Sequence, residues 1–310
     1  MAVEARKPRL LVLGAGGIGG YVGARLIEAG HDVTFLVRPG RQRQLREAGL
    51  VLDSPLGNFR QPVQALRADE LQGRYDLILL TCKAYDLDAA IEAVAPWLAD
   101  EGQVLPLLNG IRHLDALNAV FGRARVLGGI ALIGMTLDPT GVVRHLGPQA
   151  GLIWGEQAGE APGAAAKILG AAPVPGLTLE HGLPIEQRLW DKFIYLGVLA
   201  SACALLRADV GTIARTRDGT RLLRSMFDTV FEVAGREGYP PSDQVRQRMH
   251  ALSADVDSKA NASMMRDLVA GHRTEADHLT GDLLERMRRH GLESPYFVAA
   301  YVALQAHSPR

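Results

Sequence analysis

The stretch Arg9-Leu-Leu-Val-Leu-Gly-Ala-Gly-Gly-Ile-Gly19 decides the fold of this chain. Its apolar residues 10 to 13 are typical of a short buried strand, and Tyr21 to Ala29 has the apolar spacing of a helix that ends at Gly30. A second apolar strand, Val33 to Val37, follows the helix. This order of strand, glycine-rich turn, helix and strand predicts a dinucleotide-binding β-α-β unit, which the glycines alone would indicate only weakly.

The spaced glycines of the turn have different predicted tasks. Gly14 permits the tight turn, Gly16 lets the backbone approach a pyrophosphate, and Gly19 lets the helix pack closely on the strand. The N-terminus of the helix then faces the anion. The residues predicted to bind the cofactor through this turn are Gly14, Ala15, Gly16, Gly17, Ile18 and Gly19.

The residue after the second strand indicates which dinucleotide is bound. Sites that prefer NAD normally have Asp or Glu here, to accept hydrogen bonds from the ribose 2′-hydroxyl. This chain has Arg38, which suits a bidentate contact with a 2′-phosphate, and Arg41 and Arg43 add positive charge. The sequence therefore predicts NADP(H) as the cofactor; the alternative is that Arg38 only begins a solvated loop.

Length and composition indicate a globular protein with two domains. The 310 residues are 47% hydrophobic, enough to fill two cores. The formal net charge is zero, which offers no electrostatic reason to bind nucleic acid or an anionic membrane, so we expect small-molecule partners. Residues before Arg9 do not resemble a signal peptide, and the longest apolar run, Phe193 to Leu206, is shorter than the ~20 residues of a membrane-spanning helix. We therefore expect a cytoplasmic protein.

The two cysteines, Cys82 and Cys203, lie far apart in the sequence. Neither has the neighbours of a metal or redox motif, so both are interpreted as small buried thiols. We expect no metal ion and no disulfide framework.

Strand and helix patterns alternate through the first third of the chain. Buried strands are predicted at Tyr75 to Thr81 and Gln103 to Leu108, which with the opening unit predicts a doubly wound, mainly parallel sheet. Beyond Pro184 the apolar spacing is helical almost to the end. The predicted fold class is α/β, with an N-terminal Rossmann-type domain over residues 1 to 181 and an all-α C-terminal domain over residues 182 to 310.

Four further segments of the first domain are predicted to be a helix or strands. Leu87 to Leu98 is predicted to be an amphipathic helix that contains a proline near its end. Leu50 to Asp53 is a sheet extension or part of a hairpin. Val142 to His145 and Leu152 to Trp154 are predicted to be antiparallel strands that complete the domain.

Polar residues follow the predicted strands at the edge where ligands bind in open α/β sheets. Lys83 could meet a carboxylate or a ribose oxygen there, although in isolation a surface lysine is the commoner interpretation. Asn109 offers both a donor and an acceptor to a nicotinamide or ribose, and Gly110 keeps the chain close.

The second domain contains three candidate polar residues. Lys192 is predicted to lie at the head of a long apolar helix, where it could protonate a ketone oxygen while hydride reaches the carbon; the alternative is a lysine that snorkels from the helix end. Ser263 could donate to a substrate carboxylate, or cap a helix. Glu275 could accept from a sugar or substrate hydroxyl, pair with Lys192, or lie on an exposed helix face.

Several short motifs occur in a fixed order along nearly the whole chain. They are the glycine turn, Arg38, Cys82-Lys83-Ala84, Asn109-Gly110, Leu189-Trp190-Asp191-Lys192, Ser263-Met264 and Thr274-Glu275. In their joint order and spacing they resemble the ketopantoate reductases (2-dehydropantoate 2-reductases).

The resemblance implies a Rossmann domain, a helical domain like that of 6-phosphogluconate dehydrogenases, and NADPH-dependent reduction of 2-dehydropantoate to (R)-pantoate in pantothenate biosynthesis. It implies that Lys192 is the proton donor and that Lys192, Ser263 and Asn109 contact the substrate. Cofactor contacts are implied for Gly14, Gly16, Gly19, Arg38, Lys83, Asn109 and Glu275. The family often forms homodimers, and the apolar helices could form either such an interface or an internal core.

The chain departs from the family pattern at the substrate site. Asparagines that bind the substrate in the family are replaced here by Leu196, Ala200 and Val210. Each lost hydrogen bond costs roughly 1 kcal/mol, so a more apolar pocket is expected, in which Ser201 could restore one contact.

The departure leaves several functions open. A reductase of a 2-oxo acid is the leading hypothesis, with 2-dehydropantoate first and a more apolar oxo acid next. A non-catalytic NADP(H)-binding sensor is an alternative of a different class. Opine and 3-hydroxyacid dehydrogenases share the two-domain plan, but the motif order around Lys192 suits them less well.

Overall fold

Within residues 6 to 307, the part of the chain that the computed structural model describes, five parallel strands form one sheet. The strands of the chain are β1 (Arg9–Leu13), β2 (Asp32–Leu36), β3 (Leu50–Asp53), β4 (Phe59–Gln61), β5 (Gln64–Leu66), β6 (Tyr75–Leu80), β7 (Leu98–Pro106), β8 (Leu127–Leu137), β9 (Val142–Glu156) and β10 (Thr178–His181). The parallel sheet has the order β5-β2-β1-β6-β7. Its order reverses beside β1, which is where open α/β sheets bind ligands.

Helices accompany the strands of this sheet. They are α1 (Gly17–Glu28), α2 (Pro39–Ala48), α3 (Leu87–Val94), α4 (His113–Phe121) and α5 (Ala164–Leu169). The central strands β1, β2 and β6 are mostly buried and mostly apolar, because parallel strands are covered on both faces. Core residues of this region include Leu10, Val12, Tyr21, Phe35, Leu77, Leu79 and Leu105.

A second sheet has the order β10-β9-β3-β4, and β8 pairs with β9 in antiparallel fashion. β3 and β4 form a hairpin, one of the two predicted arrangements. The prediction of separate strands at 142 to 145 and 152 to 154 is wrong. Both belong to β9, which pairs with β8 across a register shift between Ile133 and Met135.

The predicted helix at Leu87 to Leu98 is also too long. α3 ends at Val94, and a 3-10 turn over Ala95–Trp97 follows it. Pro96 lies in that turn, and a proline lacks the N–H that would continue an α-helix. Leu98 already begins β7.

The residue contacts divide the chain into two units. The first comprises residues 1 to 108 and 113 to 185, and the second comprises residues 109 to 112 and 186 to 310. In the second unit no strand occurs among the described residues 186 to 307. Its helices are α6 (Ile185–Leu206), α7 (Val210–Ala214), α8 (Gly219–Arg236), α9 (Asp243–Ala254), α10 (Ser263–Val269), a π-helix (Asp277–Gly281), α11 (Asp282–Arg289) and α12 (Pro295–His307). The predicted fold class is confirmed.

α6 is the longest of these helices, and its 22 residues exceed the predicted apolar run. By length and composition alone it could cross a membrane, but 67% of its most apolar window is buried inside the protein. Phe193, Ile194 and Val198 are at most 1% exposed. α6 is therefore a core helix of the second unit.

Candidate active site

A cavity of about 750 Å³ lies at the carboxyl ends of four parallel strands of the first unit. Gly14 follows β1, Val37 follows β2, Arg67 follows β5 and Thr81 follows β6, and all of them line the cavity. These strands include β1 and β6, which adjoin at the reversal of strand order. The cavity therefore occupies the position that the topology favours for a ligand.

The glycine turn has the geometry that its sequence predicts. Gly14 has a φ of +95°, a conformation that side chains disfavour. A Cβ at Gly19 would lie 2.1 Å from the Gly14 carbonyl oxygen and 2.4 Å from Thr81 Oγ1, so only glycine fits there. A Cβ at Gly16 would meet no protein atom within 4 Å, and Gly16 lines the cavity. The backbone at Gly16 is therefore open to a close ligand.

The turn leads directly into the helix that the sequence predicts. Gly14, Ala15 and Gly16 line the cavity, and Gly17 begins α1, earlier than the expected start at Tyr21. Ile18 is the second helical residue, so its N–H group and those of its neighbours have no partner within the helix. Such groups and the helix dipole suit an anionic ligand.

Thr81 contacts this turn and was not predicted as a residue of the site. Its hydroxyl donates to the Leu13 carbonyl at 2.7 Å and so joins the end of β6 to the end of β1. A threonine after a buried strand carries no distinctive motif, and only the adjacency of the two strands reveals its role.

Two arginines line the cavity beyond β2. Arg38 has an 83% exposed side chain and donates from Nη2 to Asp86 Oδ2 at 2.8 Å. Arg41 donates from Nε to the Ala15 carbonyl and from Nη1 to the Gly141 carbonyl, each at 2.9 Å. Burial lowers the pKa of Arg41 from its ordinary value. Arg43 is exposed and is not among the described residues that line the cavity.

The segment after β6 differs from expectation at its cysteine. Cys82 is only partly buried and lines the cavity, so the interpretation of both thiols as buried holds for Cys203 and is wrong for Cys82. The reason is that Cys82 follows the carboxyl end of a strand rather than lying within it. Lys83 is partly exposed and precedes a 3-10 turn over Ala84–Asp86; it does not itself line the cavity.

Asn109 lies among the residues whose contacts place them in the second unit. Gly110 has a φ of +80°, and a Cβ there would lie 3.0 Å from His278 Cδ2. His278, on the π-helix, hydrogen-bonds the backbone of Asn109. Burial and the charge of Arg112 lower the pKa of His278 to about 4, so its ring is neutral near pH 7. His278 has no sequence motif and was not predicted.

Lys192 lies in the eighth position of α6, not at its head, because the helix begins at Ile185. A lysine that snorkels from a helix end is therefore excluded. Burial lowers the pKa of Lys192 to about 8, and the negative charge of Glu275 acts in the opposite direction. Glu275 is only 7% exposed, so its interpretation as part of an exposed face is wrong. The fold thus brings together two charged side chains that are 83 positions apart.

Ser263 is the first residue of α10 and is partly exposed. The N-cap position belongs to Ala262, so the interpretation of Ser263 as the helix cap is wrong.

The positions that depart from the family pattern are mostly buried. Ala200 is 0% and Val210 is 1% exposed, whereas Leu196 is partly exposed one helical turn after Lys192. The Ser201 hydroxyl donates to the Gly197 carbonyl at 2.7 Å and lies 3.0 Å from Thr280 Oγ1. Ser201 is 0% exposed, so its hydroxyl stabilises the helical unit and is not open to a ligand there.

The fold and the relatives of this chain identify it as an oxidoreductase that acts on a CH-OH group with a nicotinamide cofactor. The family model described as "Ketopantoate reductase PanE/ApbA" matches residues 10 to 159, and its C-terminal counterpart matches residues 184 to 308. The chain belongs to this ketopantoate reductase family, in which NADPH is the typical cofactor.

Individual relatives cover almost the whole chain. An uncharacterized oxidoreductase, YkpB, of Bacillus subtilis is 33% identical over 96% of this chain and 98% of its own length. A 2-dehydropantoate 2-reductase of Archaeoglobus fulgidus is 29% identical, covering 93% and 94%. The crystal structure of 2-dehydropantoate 2-reductase from Geobacter metallireducens superposes with a TM-score of 0.82 at 28% identity, covering 96% and 99%.

Proposed function

We propose that this protein is an NADPH-dependent reductase of a 2-oxo acid, with 2-dehydropantoate as the first candidate substrate and pantothenate biosynthesis as its pathway. The observation that carries the proposal is the pair formed by Lys192 and Glu275. A lysine with a pKa of about 8 holds a proton near neutral pH and can still release it, which is the property of a general acid.

The residues at the cavity fit the cofactor of the family. The glycine turn leaves an open backbone at Gly16 and the N–H groups of α1 face no side-chain cap, which suits a pyrophosphate. Arg38 and Arg41 supply positive charge for a 2′-phosphate. We assign the contacts of the turn to Gly14, Ala15, Gly16, Gly17, Ile18 and Gly19, and further cofactor contacts to Arg38, Lys83, Asn109 and Glu275.

The reaction requires a hydride and a proton. A reduced nicotinamide dinucleotide held by the glycine turn and Arg38 would supply the hydride for the carbonyl carbon of the oxo acid. The Lys192 ammonium donates a proton to the carbonyl oxygen, which becomes the hydroxyl, and the neutral amine is then protonated from solvent. Glu275 favours the protonated lysine before the reaction. Ser263 and Asn109 are assigned to the substrate, whose carboxylate and hydroxyl accept and donate hydrogen bonds.

The two units are assigned to these two tasks. Residues 1 to 181 form the proposed NADP-binding domain, and residues 182 to 310 form the proposed catalytic domain. By their contacts, residues 109 to 112 belong to the second unit. We further propose a cytoplasmic location and a homodimer. The exposed apolar side chains of α12, including Tyr296, Val298 and Val302, supply apolar surface for such a contact.

A reductase of a more apolar oxo acid is the second candidate. Leu196 is the observation that favours it, because this apolar side chain is partly exposed one turn after Lys192, where the family pattern has an asparagine. The NADP(H) sensor remains the alternative without catalysis.

NADPH consumption with 2-dehydropantoate tests the proposal, using the unmodified protein, Lys192→Ala and the control Lys259→Ala. Lys259 has a 78% exposed side chain, so its removal should leave turnover unchanged. Turnover that depends on Lys192 alone supports the first candidate. Turnover only with 2-oxo acids that have branched or aromatic side chains supports the second. NADPH binding without turnover of any 2-oxo acid supports the sensor.

A further inference from the structure

Arg38 and Asp86 form an ion pair on the wall of the cofactor cavity. Arg38 follows β2, and Asp86 ends the 3-10 turn that follows β6. The guanidinium Nη2 lies 2.8 Å from Asp86 Oδ2, and both residues line the cavity. Arg38 is therefore paired with a carboxylate of this chain.

The carboxylate of Asp86 and a 2′-phosphate would compete for the guanidinium of Arg38. Both are oxyanions that bind a guanidinium through short N–H···O contacts, so a phosphate on Arg38 must displace the carboxylate or share the guanidinium with it. The phosphate carries close to two negative charges, and Asp86 repels it in either case. NADH has a neutral 2′-hydroxyl instead, which a carboxylate does not repel and from which it can accept a hydrogen bond.

The remaining charges of the cavity do not cancel this effect. Arg41 is held by the carbonyls of Ala15 and Gly141, and its Nη2 is buried with no hydrogen-bond partner among the described residues. Arg67 and Asp69, which also line the cavity, pair with each other at 2.9 Å. Arg41 therefore contacts no carboxylate through these bonds and contributes its positive charge to the cavity. Arg38, the arginine assigned to the phosphate, is in contact with the carboxylate of Asp86.

We propose that Asp86 is a specificity-determining residue that lowers the preference for NADPH over NADH, so that the protein uses both dinucleotides. The inference rests on the proposed dinucleotide site but not on the identity of the oxo acid. Asp86 acts by holding Arg38 and by repelling the 2′-phosphate, and it leaves the contacts of the glycine turn unchanged.

Binding of NADPH and NADH to the full chain, measured by calorimetry without any oxo acid, tests the proposal. Asp86→Asn keeps the size of the side chain and removes its charge. We expect the variant to bind NADPH about 3- to 10-fold more tightly, from the release of one exposed ion pair and the loss of the repulsion, and NADH with unchanged affinity. The gain should shrink at high salt because the groups are exposed.

Two further variants separate this effect from a general change of charge. Asp88→Asn removes an exposed carboxylate two positions away that does not line the cavity, and should change neither affinity. In an Arg38→Ala background, Asp86→Asn should lose the part of its effect that comes from the release of Arg38, so its gain in NADPH affinity should be smaller.

An unchanged ratio of the two affinities in Asp86→Asn would overturn the proposal, as would an equal gain for NADH or an equal effect of Asp88→Asn. Binding of neither dinucleotide would overturn it together with the proposed cofactor site. A shifted ratio in a protein that reduces no 2-oxo acid would support the inference and contradict the proposed function. Unfolding midpoints close to that of the unmodified protein establish that each variant is folded.

Discussion

Glu275→Gln is expected to move the alkaline limit of the reaction to lower pH. If Lys192 is the general acid, reduction requires its protonated form. With a pKa of about 8, kcat/KM is constant below that pH and falls about tenfold for each pH unit above it. The Glu275 carboxylate raises the pKa of Lys192 against the larger, opposite effect of burial. Its neutralisation therefore lowers that pKa further.

The size of the shift follows from the location of the pair. Glu275 is 7% exposed and solvent screens it weakly, so the loss of one opposite charge should lower the Lys192 pKa by about 1 pH unit or more. For a pKa that moves from about 8 to about 7, the protonated fraction at pH 8 falls from about one half to about one tenth. At pH 8 the variant should therefore be about fivefold slower for this reason alone, and at pH 6 the loss from this cause disappears.

The assay is the initial rate of NADPH oxidation between pH 6 and pH 10, under conditions that give kcat/KM for the free enzyme. Glu293→Gln is a matched control, because Glu293 is exposed in the same unit and should leave the profile unchanged. Lys192→Arg supplies a group that stays protonated, so its residual activity should show no decline near pH 8. A Glu275→Gln profile whose limit stays at or above that of the unmodified protein would refute the reasoning.

Three further predictions concern the framework of the site. Gly19→Ala should destabilise the fold, since its Cβ would lie 2.1 Å from a carbonyl oxygen, whereas Gly16→Ala should fold normally and bind NADPH more weakly; urea unfolding and calorimetry distinguish the two. The pKa of His278 is lowered from 6.5 to about 4, so the free energy of unfolding should fall by up to roughly 3 kcal/mol as pH falls from 6.5 to 4. In His278→Phe, urea titrations at these two pH values should show a smaller fall. Arg286→Met removes a guanidinium that pairs with Glu237 and Asp282 and should cost about 3 to 5 kcal/mol of unfolding free energy, while Arg221→Met, with an 82% exposed side chain, should cost less than about 0.5 kcal/mol.

Much of the fold can be predicted from short stretches of sequence. The glycine turn is predictable because a positive φ at Gly14 and the close approach at Gly19 are requirements of the local backbone. The parallel sheet is predictable because its central strands β1, β2 and β6 are mostly apolar, and the second unit is predictable because its apolar spacing is helical. Arg38 could be predicted as a candidate because its position just after β2 can be found from the sequence alone.

Boundaries that depend on neighbours were less predictable. The sequence does not show that the segments around Val143 and Ile153 form one strand, because the pairing with β8 joins them. The start of α6 at Ile185 was also missed, and with it the position of Lys192 inside the helix. Polar residues at a helix start carry no apolar periodicity, so packing decides where the helix begins.

The sequence by itself determined the fold class, the glycine turn and the candidate residues, since each depends on residues that are close along the chain. Only the tertiary structure decided which charges meet. Asp86 lies 2.8 Å from Arg38 although 48 positions separate them, and Glu275 acts on Lys192 across 83 positions. Such pairs arise because strand order and helix packing bring distant segments together, and burial then changes their energies in a way that residue type alone does not reveal.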